Sequence, residues 1–157
     1  MTILAVILAL AIWAMWPALR APESSMVCNW MHPDCISNHW LLVWVAERLG
    51  EGQSILHNDR YYWPVGDAPV LAGNGAEGVL YAPLHQLLGW PTGAVFYLTG
   101  ILVLNGLGGW ALGRALGAGR WAALLPAAVA TASPYLLGEL GAGRFSQVSI
   151  QDRKSVV

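Results

Sequence analysis

Charge is what this chain has least of: of its 157 residues only 11% are Asp, Glu, Lys or Arg, while 56% are apolar. An average soluble domain carries roughly 25% charged residues. Eight basic and nine acidic side chains nearly cancel to a net charge of -1, so there is no basic surface of the kind that binds nucleic acid or another polyanion. The scarcity is also uneven. No charge falls between Met1 and Leu19, between Gly78 and Gly113, or between Trp121 and Gly138. A soluble globule needs charges on every outward face, so this spacing makes the lipid bilayer the expected partner. Cysteine is scarce too. Cys28 and Cys35 are too few for a disulfide framework and lack the companions of a zinc site, which leaves two thiols or one local staple. Lysine occurs once, at Lys154.

What the chain does have is long apolar runs. Residues 1–19 hold eighteen consecutive Ile, Leu, Ala, Val, Met, Trp and similar residues from Thr2 to Leu19, with Pro17 near the exit. At about 1.5 Å per residue such a helix crosses most of a hydrocarbon core about 30 Å thick. It lacks the basic n-region and the small-x-small site of a cleaved signal peptide and so reads as an uncleaved anchor. Residues 20–77 follow as a polar stretch with seven acidic and three basic side chains, long enough to fold. Within it, residues 38–49 place Trp40, Leu41, Val43, Trp44, Val45 and Leu49 largely on one face, with Glu47 and Arg48 on the other. Ser37 or Asn38 stands in a capping position and Gly50 follows, which predicts an amphipathic helix in the interface plane.

A second uncharged region of 36 residues starts at Gly78, too long for one crossing. Gly89, Pro91 and Gly93 divide it into an interfacial or re-entrant piece, 78–90, and a second span, 94–113. Arg114 and Arg120 bracket a turn, 114–120. A third span covers 121–138, with Pro126 and Pro134 as kink sites, and 139–151 begin another loop. The short connection with two arginines and no acid belongs in the cytoplasm by the positive-inside rule, so the long loop faces the exoplasm. The expected fold class is therefore all-α: polytopic transmembrane helices with a large exoplasmic loop containing an amphipathic interfacial helix. Gly109, Gly113 and Gly117, at four-residue steps, are assigned to close helix packing. No strand precedes them, so they do not form a phosphate loop.

No acid or base pair lies within the spans, which argues against a proton relay or ion path; Asn105 reads as an interhelical hydrogen bond. The chemically useful groups collect in the loops: His32, Asp34, His39, His57, Asp59, Arg60, Asp67 and Glu77, then Glu139 and Arg144. Asp34 stands out because it precedes the interfacial helix, which puts a carboxylate at headgroup level. There it would serve as a base or a metal ligand. The alternative is a plain helix-capping role after Pro33. The four histidines show no metal spacing, and most of the nine tryptophans fall at expected interfaces, where belts form.

The order of an anchor, an early loop Asp, HWLLVWVAERLGEG, the aromatic-Pro-x-Gly turn YYWPVGD, and YAPLHQLLGWPTGAVFYLTG onward through Ser-Pro-Tyr to Gln151 resembles bacterial GT-C-type polytopic glycosyltransferases. It is most similar to the membrane proteins labelled as 6-pyruvoyl-tetrahydropterin synthase-related. The resemblance covers roughly Trp30 to Gln151. It implies transfer of a sugar from a polyprenyl-phosphate donor on the exoplasmic side of the inner membrane, with Asp34 as base or metal ligand. A divalent cation is the one cofactor this leaves room for. By their chemistry, His57, Arg60 and Arg144 are candidates to bind the phosphate, and Glu139 is the only candidate for a second acid. The Asp-x-Asp pair is missing. The rival readings are a non-catalytic membrane protein for transport, scaffolding or surface-polymer assembly, and a small three-helix subunit complete as it stands.

Up to Gln151 every basic side chain is arginine, the habit of a GC-rich genome. Residues 152–157, DRKSVV, then read like one translated frame of a sequencing adapter. On that expectation the chain is an N-terminal fragment, inactive by itself.

Overall fold

A computed structural model describes residues 2–58, 60, 68–69 and 75–148. The YYWPVGD turn, Asp59, Asp67 and the segment 152–157 lie outside the described residues. Among the described residues the chain is mostly helical: α1 (Thr2–Leu19), α2 (Pro33–Gly50), α3 (Gly75–Leu88), α4 (Thr92–Ala115), α5 (Leu124–Ala132), α6 (Pro134–Gly141) and α7 (Phe145–Val148). One short antiparallel pair, β1 (His57–Asn58) with β2 (Ala68–Pro69), sits between α2 and α3.

Among the described residues two helices are long and apolar enough to cross a membrane, α1 with a mean hydropathy of 2.2 and α4 with 1.6. At about 1.5 Å per residue they are about 27 and 36 Å long. Only 17% of α1 and 39% of the most apolar window of α4 is buried within the protein. Leu4, Val6, Leu8, Ile12, Trp13 and Trp16 of α1 stand exposed, as do Phe96, Leu104 and Leu112 of α4.

Residues 121–138 do not form one helix. The chain breaks at Ser133, whose backbone is extended (φ -64°, ψ 150°) and whose Oγ accepts from the Leu136 N–H to start α6. Pro134 dictates this, because it disfavours the helical conformation in the residue before it and supplies no N–H. Neither α5, of 9 residues, nor α6, of 8, spans a bilayer alone.

α1, α4 and α5 pack side by side. The seam between α4 and α5 is built from small residues. A Cβ at Gly109 would lie 2.5 Å from the Pro126 carbonyl oxygen and 2.8 Å from Ala130 Cβ, and one at Gly113 would lie 2.8 Å from Pro126 Cγ. Gly106 meets Thr131 and Ile7 in the same way. Gly117 is not part of this seam, contrary to its place in the four-residue series. It has nothing within 4 Å of its Cβ position and takes a φ of +87° just past the end of α4. Its N–H bonds the Arg114 carbonyl and the Ala118 N–H bonds the Gly113 carbonyl, each at 3.0 Å, which is a Schellman closure.

The remaining helices gather at one end. α2 begins five residues earlier than its hydrophobic pattern indicates. Its N-cap is His32, with Pro33 opening the helix and Asp34 in the first turn, rather than Ser37 or Asn38. Its apolar face, including Leu41, Trp44 and Val45, is buried, and α3 packs along it so closely that a Cβ on Gly78 would overlap Val45. Protein rather than lipid covers that face. The main core joins Met15 of α1, Leu42 of α2, Tyr81 of α3, Leu98 and Leu102 of α4, Leu136 of α6 and Phe145 of α7.

Candidate functional site

The first turn of α2 is built by local chemistry. Asp34 donates its backbone N–H to His32 Nδ1 at 3.3 Å, and its carboxylate lies where the helix dipole favours negative charge. Cys35, the next residue, is fully buried and bridged to Cys28. This disulfide fixes the approach of the 20–32 connection to α2.

Arg144 reaches this turn from the far end of the chain. α6 closes with a second Schellman turn: the Gly143 N–H bonds the Leu140 carbonyl at 3.0 Å and the Arg144 N–H bonds the Glu139 carbonyl at 2.9 Å. Gly143 adopts a φ of +77°, and a Cβ there would lie 2.5 Å from Cys35 Cα. Only glycine supports both the backbone and the contact. Asn38 Nδ2 donates to the Gly143 carbonyl at 2.7 Å, and the Asn29 N–H to the Gly141 carbonyl at 2.7 Å. The turn is thus held by α2 on one side and by the connection that precedes α2 on the other.

Seated this way, Arg144 Nε donates to Asp34 Oδ2 at 2.9 Å and Nη1 to Glu139 Oε2 at 3.4 Å. The guanidinium pKa is raised, first by its hydrogen bond to Asp34 and then by Glu139. Glu139 is the most enclosed of the three, with 15% of its side chain exposed, against 41% for Asp34 and 43% for Arg144. His32 Nδ1 also comes within 3.7 Å of Asp34 Oδ2. Because that nitrogen accepts the Asp34 N–H, the approach is a juxtaposition and not an ion pair.

Three of the candidate residues, Asp34, Glu139 and Arg144, therefore meet, although more than a hundred residues separate the first from the other two. The other two candidates do not join them. Arg60 Nη1 lies 3.7 Å from Glu47 Oε2, both well exposed, and His57 is in β1 near the opposite end of α2. At 1.5 Å per residue, Glu47 is about 20 Å along α2 from Asp34. A phosphate held at Asp34 would meet Arg144 but neither of them. Among the described residues no group of three or more His, Cys, Asp or Glu is placed to hold a metal ion. The two carboxylates share a guanidinium instead, an arrangement that does not fit a divalent cation.

The sequence offers His39 only as one of several polar groups outside the spans; the fold leaves it 2% exposed. Its Nδ1 accepts from Trp90 Nε1 at 3.4 Å, and its ring meets Phe145 edge-on at 4.8 Å. Burial pushes its pKa down to about 4, with a hydrogen bond to the Val27 backbone acting the other way. A His one residue before an apolar run was the only available signal. Asn105 bonds within the protein, donating Nδ2 to the Val148 carbonyl at 2.6 Å.

No protein-family model matches the chain, and no characterised protein or solved structure matches it either.

Proposed function

We propose that the chain is a multi-pass protein of the bacterial inner membrane belonging to a GT-C-like glycosyltransferase, one that takes a sugar from a polyprenyl-phosphate carrier on the exoplasmic side. The observation that carries this reading is the convergence of Asp34, Arg144 and Glu139 at one end of a bundle containing two membrane-length helices. The exposed apolar side chains along α1 and α4, together with the length of both helices, support the membrane part of it.

In the reaction, an acceptor hydroxyl oxygen bonds to the anomeric carbon of the sugar while the bond from that carbon to the carrier phosphate oxygen breaks. The hydroxyl proton passes to the Asp34 carboxylate. Neutralising Asp34 loosens its hold on Arg144 as charge builds on the departing phosphate, and the guanidinium is then available to stabilise that charge. Glu139 keeps Arg144 in place through the exchange.

The test is transfer from a synthetic polyprenyl-phosphate hexose in membranes of cells making the complete protein. Asp34→Asn preserves shape and removes the base, and transfer should fall by about a hundredfold or more. Undiminished transfer eliminates the assignment.

A second reading draws on the same contact. Arg144 occupies Asp34 Oδ2, and the cluster then serves only to fasten the α6–α7 turn onto α2 in a non-catalytic membrane protein for transport, scaffolding or surface-polymer assembly. In that case Asp34→Asn lowers the thermal midpoint and leaves the cell-surface glycan unchanged.

A further inference from the structure

At the end of the bundle away from Asp34, the C-terminal half of α4 and the first turn of α1 enclose a groove of about 430 Å³ lined by Ile3, Leu4, Leu107, Trp110, Arg114 and Arg120. Leu107, Trp110 and Arg114 recur at three- and four-residue steps and form one stripe down α4 that turns from apolar to cationic. The Schellman turn after α4 brings Arg120 back beside it. Trp110 Nε1 donates to the Arg120 carbonyl at 3.3 Å, and Arg114 Nη1 to the Ala118 carbonyl at 2.8 Å. The Arg120 guanidinium lies 5.4 Å from the Trp121 ring centroid.

Neither arginine has a carboxylate partner among the described residues. The sequence explains why: no Asp or Glu occurs before Glu23 or between Glu77 and Glu139, and those acids lie toward the other end. Two unneutralised guanidiniums beside an apolar floor, with Trp110 in the same lining, match one ligand chemistry. We propose that this groove binds an anionic phospholipid, its phosphate between Arg114 and Arg120 and an acyl chain along Ile3, Leu4 and Leu107. Guanidinium forks suit phosphate oxygens, and the indole of Trp110 suits headgroup depth. By the positive-inside rule these arginines put this end at the cytoplasmic surface, where anionic headgroups are within their reach. A free phosphate would leave the apolar floor unused. The proposal rests on the reading that α1 and α4 cross a bilayer.

The test is native mass spectrometry of the full chain in neutral detergent, titrated with phosphatidylglycerol, phosphatidylcholine or glycerol phosphate. One phosphatidylglycerol should saturate the site about tenfold or more tightly than phosphatidylcholine, the preference expected of two interfacial cations. Arg114→Gln with Arg120→Gln should erase that preference, and Arg114→Lys with Arg120→Lys should keep most of it. Leu107→Trp, which fills the floor and leaves both arginines, should lose the lipid, and it decides the matter if the glutamine pair does not fold. Equal binding of the two lipids, an unchanged preference in a folded glutamine pair, or undiminished lipid binding by Leu107→Trp overturns the proposal. Glycerol phosphate competing as well as the lipid overturns the lipid as occupant. Alkaline carbonate extraction of membranes reads the premise separately. Release of the chain defeats the membrane reading, whereas retention without lipid preference defeats the groove alone.

Discussion

Arg144 owes its position to its neighbour. Gly143 turns the chain with a φ of +77° and lets it lie against Cys35 Cα, so the residue after it faces Asp34. The candidate acids and the arginine were visible in the sequence as residue types in loops, but not their meeting, because nothing local encodes a contact spanning 110 residues. His39 is the converse, a residue whose importance comes from burial. Its pKa lies at about 4 in the fold against 6.5 for the ordinary group. As pH falls through 6.5 the unfolded chain takes up a proton that the folded protein refuses, so stability drops between about 6.5 and 4 and levels off below. The full effect is on the order of 3 kcal/mol at most. Thermal midpoints in detergent at pH 7.5 and 4.5 should differ more for the native protein than for His39→Leu. Equal differences would show that His39 does not carry the slope.

Among the elements, α4 shows what periodicity can and cannot convey. Gly109, Gly113 and Gly117 share a spacing and therefore look alike in sequence. Two of them touch α5, and the third ends the helix, because the Schellman turn after Leu116 needs a left-handed residue where the series happens to continue. Substitution separates the roles. Gly109→Leu forces bulk against the Pro126 carbonyl and should cost about 2 kcal/mol or more, with loss of the α4–α5 association. Gly117→Ala meets no neighbour and should cost only about 1 kcal/mol for its backbone conformation. Equal costs in chemical denaturation would contradict this assignment. α2 carries a related lesson. Its apolar stripe was legible, but an apolar stripe is satisfied equally by lipid and by another helix, and here α3 supplies the cover. The break at Ser133 shows the limit of hydropathy, which is blind to the backbone conformation that Pro134 imposes.

At the scale of the molecule, charge sorts itself to two ends. The turn between α4 and α5 carries Arg114 and Arg120 without an acid, while the Cys28–Cys35 disulfide and the Asp34 cluster sit at the other end. For the proposed membrane protein, two independent principles favour the same orientation. Arginines in a short connection stay in the cytoplasm, and disulfides persist in oxidising compartments. Because both native cysteines are bridged, an introduced thiol reports on its own position. Gly119 lies in the arginine turn with nothing near its Cβ position, and Glu51 follows α2 in an exposed site. In intact cells, or spheroplasts if an outer membrane is present, a membrane-impermeant maleimide should label Glu51→Cys at once. It should label Gly119→Cys only after permeabilisation. The reverse pattern would put Asp34 in the cytoplasm, out of reach of a donor presented on the exoplasmic side. Equal labelling of both thiols without permeabilisation would mean that α1 and α4 do not separate two compartments at all.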